Sequence, residues 1–86
     1  MSKIKKAVAL KYDKKRDDAP KVKASGKGEV AKKIIKIAEN YNLPIKKDED
    51  LVELLSKVEI DKEIPQNLYK AVAEVFSFIY KMTNES

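Results

Sequence analysis

Ala7-Val8-Ala9-Leu10-Lys11-Tyr12, a polar run from Asp13 to Pro20, and then Lys21-Val22-Lys23-Ala24-Ser25 set the architecture of this chain. The first is a short apolar run bounded by turn residues, which suits a buried strand better than a helix. Its alanines are poor strand formers, so the assignment rests on length and boundaries. The second alternates polar and apolar residues, the period of a strand with one wet face. Gly26-Lys27-Gly28 then breaks the chain ahead of a helix. That tripeptide lacks the spacing of a phosphate loop and reads as a plain strand-to-helix turn.

Helical spacing follows. From Glu29 the apolar positions fall at Val30, Ile34, Ile37, Ala38 and Tyr41, one face of an amphipathic helix. Asn42 is placed to terminate it, and Pro44 holds the residue before it out of the helical region. Ile45 and its neighbours read as a short strand. Asp48, Glu49 and Asp50 open a second helix, where carboxylates suit the positive end of the helix dipole, and Leu51, Leu54, Leu55 and Val58 form its buried face. Ile64-Pro65 begins a third, with proline at the first helical position. Leu68, Tyr69, Val72, Ala73, Val75, Phe76, Ile79 and Tyr80 give it an apolar surface broad enough to line the core. The predicted fold class is α/β (α+β-like): a small mixed sheet packed among about three helices, with residues 1–86 as a single domain.

Composition narrows the function. The 86 residues contain neither Cys nor His, which removes disulfides, thiolate chemistry, the commonest general base and the commonest metal ligand. No apolar run approaches the ~20 residues of a membrane span, and no signal-peptide stretch is present. Nothing assembles a nucleophile, a base and an oxyanion site. Asp13, Asp17 and Asp18 supply too few oxygen ligands at the set spacing of a metal loop. The expectation is a soluble, intracellular binding module with no catalytic residue, no metal and no cofactor.

Charge is uneven along the chain. Residues 1–47 hold fifteen cations against five acids, a balance of +10, whereas residues 48–86 hold four against nine, a balance of −5. Such a basic half attracts acidic partners, nucleic acid or an anionic surface. Against nucleic acid, eighteen of the nineteen cations are Lys, whereas bidentate readout favours Arg. Tyr12 and Tyr41 alone are too few for a stacking platform. A basic nucleic-acid-binding domain is therefore the alternative reading and not the preferred one.

The run Ala7 to Asp13 followed by Ala19-Pro20-Lys21-Val22 resembles the cytoplasmic domain of the FlhB/YscU family, the export-switch proteins of flagellar and virulence type III secretion. The resemblance continues through Lys23 to Gly28, Ile34 to Ala38 and Leu43-Pro44. It is sharpest at Val58-Glu59-Ile60, Ile64-Pro65 and Leu68 to Val75. It implies a four-stranded sheet among helices. It also implies self-cleavage at an Asn-Pro-Thr-His motif just before the first strand. Here the aligned positions are Ser2-Lys3-Ile4-Lys5, and Pro20, Pro44 and Pro65 follow Ala19, Leu43 and Ile64. The family's route of asparagine attack on its own carbonyl is thus absent from these residues. The chain is expected to be a free-standing counterpart of the downstream cleavage fragment, without the family's membrane helices, linker and first cytoplasmic strand.

Further implications of the resemblance concern partners and sites. They are an export-gate membrane protein or a truncated switch protein, rod- and hook-class export substrates and a hook-length control protein, with no nucleic acid and no direct membrane insertion. The expected location is cytoplasmic, peripheral to the export apparatus at the inner face of the membrane. A shallow apolar patch for export signals maps onto Ala19, Pro20, Ala73 and Phe76, with Phe76 standing where a smaller aliphatic residue is common. The missing strand leaves an edge at Ala7, Val8, Ala9 and Leu10 open to strand addition.

Overall fold

The computed structural model describes residues 4–84, and side chains as far as Lys81; Ser2 and Lys3 lie outside the described residues. Strands β1 (Lys6–Lys11) and β2 (Lys21–Lys27) pair antiparallel, and helices α1 (Glu29–Asn40), α2 (Glu49–Leu55) and α3 (Tyr69–Asn84) follow, the last entered through a 3-10 turn at Gln66–Leu68. The register runs from Lys6 opposite Lys27 to Lys11 opposite Lys21, with a shift between Ala9 and Leu10 that leaves Lys23 as the extra residue. This is a β-bulge, which bends the strand and increases its twist.

The two faces of the hairpin carry side chains of different size. Val8, Leu10 and Val22 point to one side, into a cluster of Ala19, Val22, Leu51, Leu55, Ile64, Leu68 and Val72. Ala7, Ala9, Ala24 and Gly26 alternate to the other side, where α1 lies across both strands. Ala7 and Ala31 are buried there, outside the main cluster. The alanines that weaken the strand propensity are what allow the helix its close approach. At Gly26 a Cβ would stand 2.1 Å from Val30 Cγ1 and 2.7 Å from Val30 Cβ.

A strap formed by residues 61–64 closes the other edge of β2. Val22 donates its N–H to the Lys62 carbonyl (3.0 Å) and accepts from the Asp61 N–H (2.7 Å), and Ile64 donates to the Pro20 carbonyl (2.9 Å). Asp61 takes a positive φ of 70° to make the turn, and its carboxylate meets Lys23 Nζ at 2.6 Å. One bridge, Lys21 to Glu63, results. The sheet is therefore a hairpin plus this bridge, where the family resemblance implied four strands.

Helix ends follow local chemistry. Gly28, at φ 62°, turns the chain into α1, and its N–H is bonded to the Lys5 carbonyl at 2.7 Å. The glycine turn is thereby a structural junction. At the other end Asn42 adopts the left-handed conformation (φ 57°). Leu43 N–H reaches the Ala38 carbonyl and Asn42 N–H the Glu39 carbonyl, the paired bonds of a Schellman stop. Asp48 caps α2, its side chain accepting from Leu51 N–H at 3.1 Å.

Further expectations need correction. Helix α2 ends at Leu55 and buries Leu51 and Leu55, while Leu54 is exposed and Val58 lies beyond the helix. The segment around Ile45 forms no strand; it is an irregular connection between α1 and α2, with Lys46 Nζ 5.2 Å from the Phe78 ring centre. Pro65 is extended (φ −71°, ψ 156°) and precedes the 3-10 turn, so helix α3 begins at Tyr69. The buried side of α1 is Ala31, with Ile34, Ile35 and Ala38 half-buried, while Val30, Ile37 and Tyr41 remain exposed. The small-residue face of the sheet selects the row that contains the smallest side chain.

Replacing Gly26 with alanine is expected to lower stability by about 1–3 kcal/mol through overpacking against Val30, measured by urea unfolding. Adding Val30→Ala to the same chain should recover part of that loss, because the clash is with the Val30 side chain.

Candidate functional site

The loop from Tyr12 to Pro20 joins the strands and organises the surface around it. Asp13 is its hub. Its carbonyl accepts from Arg16 N–H (3.1 Å) and Asp17 N–H (2.8 Å), and its Oδ1 accepts from Lys15 N–H (3.0 Å). Asp17 returns the bond, its Oδ2 accepting from Asp13 N–H at 3.1 Å, and its Oδ1 lies 3.3 Å from Lys21 Nζ. The Asp13 N–H and then the Lys21 ammonium hold the Asp17 carboxyl below its ordinary value. Lys23 does the same for Asp61, and Lys6 for Glu53. This reciprocal pairing stiffens a loop that has no regular structure and sets the positions of Ala19 and Pro20.

Ala19 is only 2% exposed and belongs to the core cluster, so it shapes the surface from beneath. Pro20 is half-buried, Phe76 is half-buried against the same cluster, and Ala73 is exposed. Ala73 borders a shallow hollow on the outer side of α3 with Lys70, Glu74, Ser77, Phe78 and Lys81. Phe76 faces instead towards the strands, its ring centre 6.3 Å from that of Tyr12 at a tilt of 33°. Ala73 and Phe76 thus lie about 60° apart round one helix and meet different neighbours.

The pattern in α3 is wider than a core stripe. Leu68 and Val72 are buried, with Val75, Phe76 and Ile79 half-buried. Tyr69, Ala73, Phe76 and Tyr80, spaced by helical turns, form the adjoining row, in which Tyr69 and Tyr80 are exposed. The three aromatics of that row therefore rim the core and do not fill it. Tyr12 joins them from the strand end. Nothing in the local sequence around Tyr12 marks this contact, which arises only when the hairpin and α3 close on each other.

The second surface is the outer side of β1. Gly28 N–H bonds Lys5 carbonyl, so by the alternation of an antiparallel ladder Lys5, Ala7 and Ala9 direct their backbone groups to β2. Lys6 and Val8 direct theirs away. Among the described residues no strand pairs with that side of β1, although α2 lies close and Glu53 pairs with the Lys6 ammonium.

Comparison with known proteins gives this architecture its relatives. The profile of the FlhB HrpN YscU SpaS family matches residues 4–79. The chain belongs to that family. It is 54% identical over 79 residues to the uncharacterized protein YlqH of Bacillus subtilis, covering 92% of this chain and 85% of that one. It is 47% identical over 74 residues to the flagellar biosynthetic protein FlhB of Aquifex aeolicus, covering 85% of this chain and 21% of FlhB. The chain thus spans about a fifth of the length of that relative. Among solved structures, the cytoplasmic domain of FlhB from Shewanella putrefaciens superposes with a TM-score of 0.86 at 38% identity, over 91% of this chain and 61% of that one. The PscU C-terminal domain gives 0.82 at 25% identity, over 86% and 95%. The FlhB-type fold is shared along nearly the whole chain. No described helix is long and apolar enough to cross a membrane.

Two measurements test this surface. Phe76→Ala should cost less than the ~3–5 kcal/mol of a fully buried phenylalanine, since its ring is partly exposed and leans on Tyr12. Acid should destabilise the fold. With folded values lowered, the Asp17, Asp61 and Glu53 contributions are complete above the ordinary carboxylate range and vanish as pH falls through the lowered values. Asp17→Asn is expected to flatten the fall of Tm as pH drops through and below the ordinary carboxylate range.

Proposed function

We propose that this chain is a non-enzymatic docking module of a type III protein export apparatus, flagellar in kind. In this reading it stands in for, or competes with, the downstream cytoplasmic fragment of a FlhB-type switch protein. The observation that carries it is the correspondence to the FlhB cytoplasmic domain along residues 4–79, in sequence and in fold.

Two surfaces would do the docking. The free backbone groups of Lys6 and Val8 offer the Ala7–Leu10 edge to a strand from the switch protein or the export gate, and main-chain hydrogen bonds would supply affinity. The Pro20, Phe76 and Ala73 region, underlain by Ala19, would receive the apolar export signal of rod- and hook-class substrates. Tyr12 is added to it by the ring contact with Phe76. Catalysis has no part, since none of the 86 residues forms an Asn-Pro pair and self-cleavage by that route is closed to them.

The test is complementation. A strain whose membrane-bound switch protein ends at its self-cleavage site receives this chain, and secreted hook and filament subunits are scored. Restored export is the expected result; a folded, expressed chain that restores nothing overturns substitution. Lys6→Pro removes an outward N–H without breaking the hairpin ladder, so it should abolish rescue while Tm matches a Lys6→Ala control that also lacks the Glu53 ion pair.

A further inference from the structure

Helix α1 and its C-cap residue Tyr41 carry a second apolar row that the core leaves largely uncovered, although one side of Val30 rests on Gly26. Val30, Ile37 and Tyr41 are 51%, 55% and 74% exposed. At 100° per residue they fall within about 40° of one another and run about 16 Å along the helix. The rest of the apolar sector, Ala31, Ile34, Ile35 and Ala38, turns to the strands. Next to the exposed row stand Lys33 and Lys36, about 60° and 120° round the helix from it. Both are exposed, and neither has an ion-pair partner among the described residues. One side of the row is therefore bounded by the sheet and the other by Lys33 and Lys36, with Glu29, itself paired to Lys32, on the same flank at the first turn.

Three occupants compete for such a row. A second copy of the chain, paired antiparallel, would bring the lysine flank against itself, setting Lys33 and Lys36 of one copy facing Lys36 and Lys33 of the other; like charges so placed repel. A membrane surface calls for an apolar sector wider than about 100°, and the sheet has consumed most of that sector. A helix laid beside α1 needs only one row of anchors and a matching flank.

We infer that the Val30–Ile37–Tyr41 row of α1 docks an amphipathic helix of a partner protein whose carboxylates lie along Lys33 and Lys36. The basic half of the chain, with its balance of +10, would steer the same partner during approach. This surface is separate from the β1 edge and from the Phe76 patch, and it depends on neither.

The probe is a synthetic amphipathic helix with a leucine row and a flanking glutamate row, titrated into the isotopically labelled chain and followed by backbone amide shifts. Shifts concentrated on α1 are expected, with affinity reduced about tenfold by Ile37→Ser and by the double change Lys33→Glu, Lys36→Glu. A peptide with lysines in place of the glutamates should bind the charge-reversed chain better than the original. Thermal unfolding checks that each variant, changed only at exposed positions, remains folded. Binding indifferent to both changes, or absent at millimolar peptide, overturns the inference. So does binding to vesicles containing about a third phosphatidylserine with no response to the peptide, which would assign the row to lipid. A dimer in sedimentation that Ile37→Ser abolishes would assign it to a second copy. None of these results bears on the export assay, so the two readings fail independently.

Discussion

The rest of the fold hangs on Val22. Its side chain is completely buried, and both of its outward backbone groups are bonded to the strap at Asp61 and Lys62. On its other side β2 is paired to β1. One residue thus ties the hairpin, the connection after α2 and the entry to α3 into a single hydrogen-bonded corner. Buried backbone groups must be paired somewhere, and here the partner comes from nearly forty positions further along the chain. The stretches Val58-Glu59-Ile60 and Ile64-Pro65, where the family resemblance is sharpest, flank that strap. The same corner holds Ala19 and Pro20 against the end of the core, and so fixes the ground on which the Phe76 and Tyr12 rings meet.

A chain this short has little core to spend. Chains near 60 residues bury only about 60% of the surface that their unfolded form exposes, and longer ones only gradually more. Economy shows in how the hairpin is used. Its large residues fill one side and its alanines and glycine admit α1 on the other, so two strands support helices on both faces. Local devices supply order where packing cannot: the reciprocal Asp13–Asp17 bonds in the loop, the Schellman stop at Asn42, the Asp48 cap. Among the described residues no charged or polar side chain is buried. Ion pairs therefore work at the surface, where water screens them and each contributes little.

Exposed apolar residues gather at particular places on the molecule. The α1 row, the aromatic rim of α3 and the unpaired side of β1 lie on different parts of the molecule. Scattered apolar residues on a surface are ordinary; aligned ones at helical spacing, and a strand side that no strand pairs with among the described residues, are features that a partner can read.

Much of this was legible in the residues themselves. Asn42 as a terminator, the acidic start of α2 and the two strands follow from short-range chemistry: a side chain that tolerates positive φ, carboxylates at a positive helix end, and apolar runs cut by turns. The family follows from residues kept in order along the chain. Tertiary structure alone decided which of two adjacent apolar rows each helix would bury. Periodicity marks a sector as apolar, but α1 turned its smallest residue to the alanine face because close approach rewards it, leaving Val30, Ile37 and Tyr41 outside. In α3 the core took the line through Leu68 and Val72 and left Tyr69 and Tyr80 at the rim. The expected strand at Ile45 failed for a related reason. The open position beside β2 was filled by residues 61–64, whose hydrogen bonds depend on a turn at Asp61 that no alternation of polar and apolar residues announces.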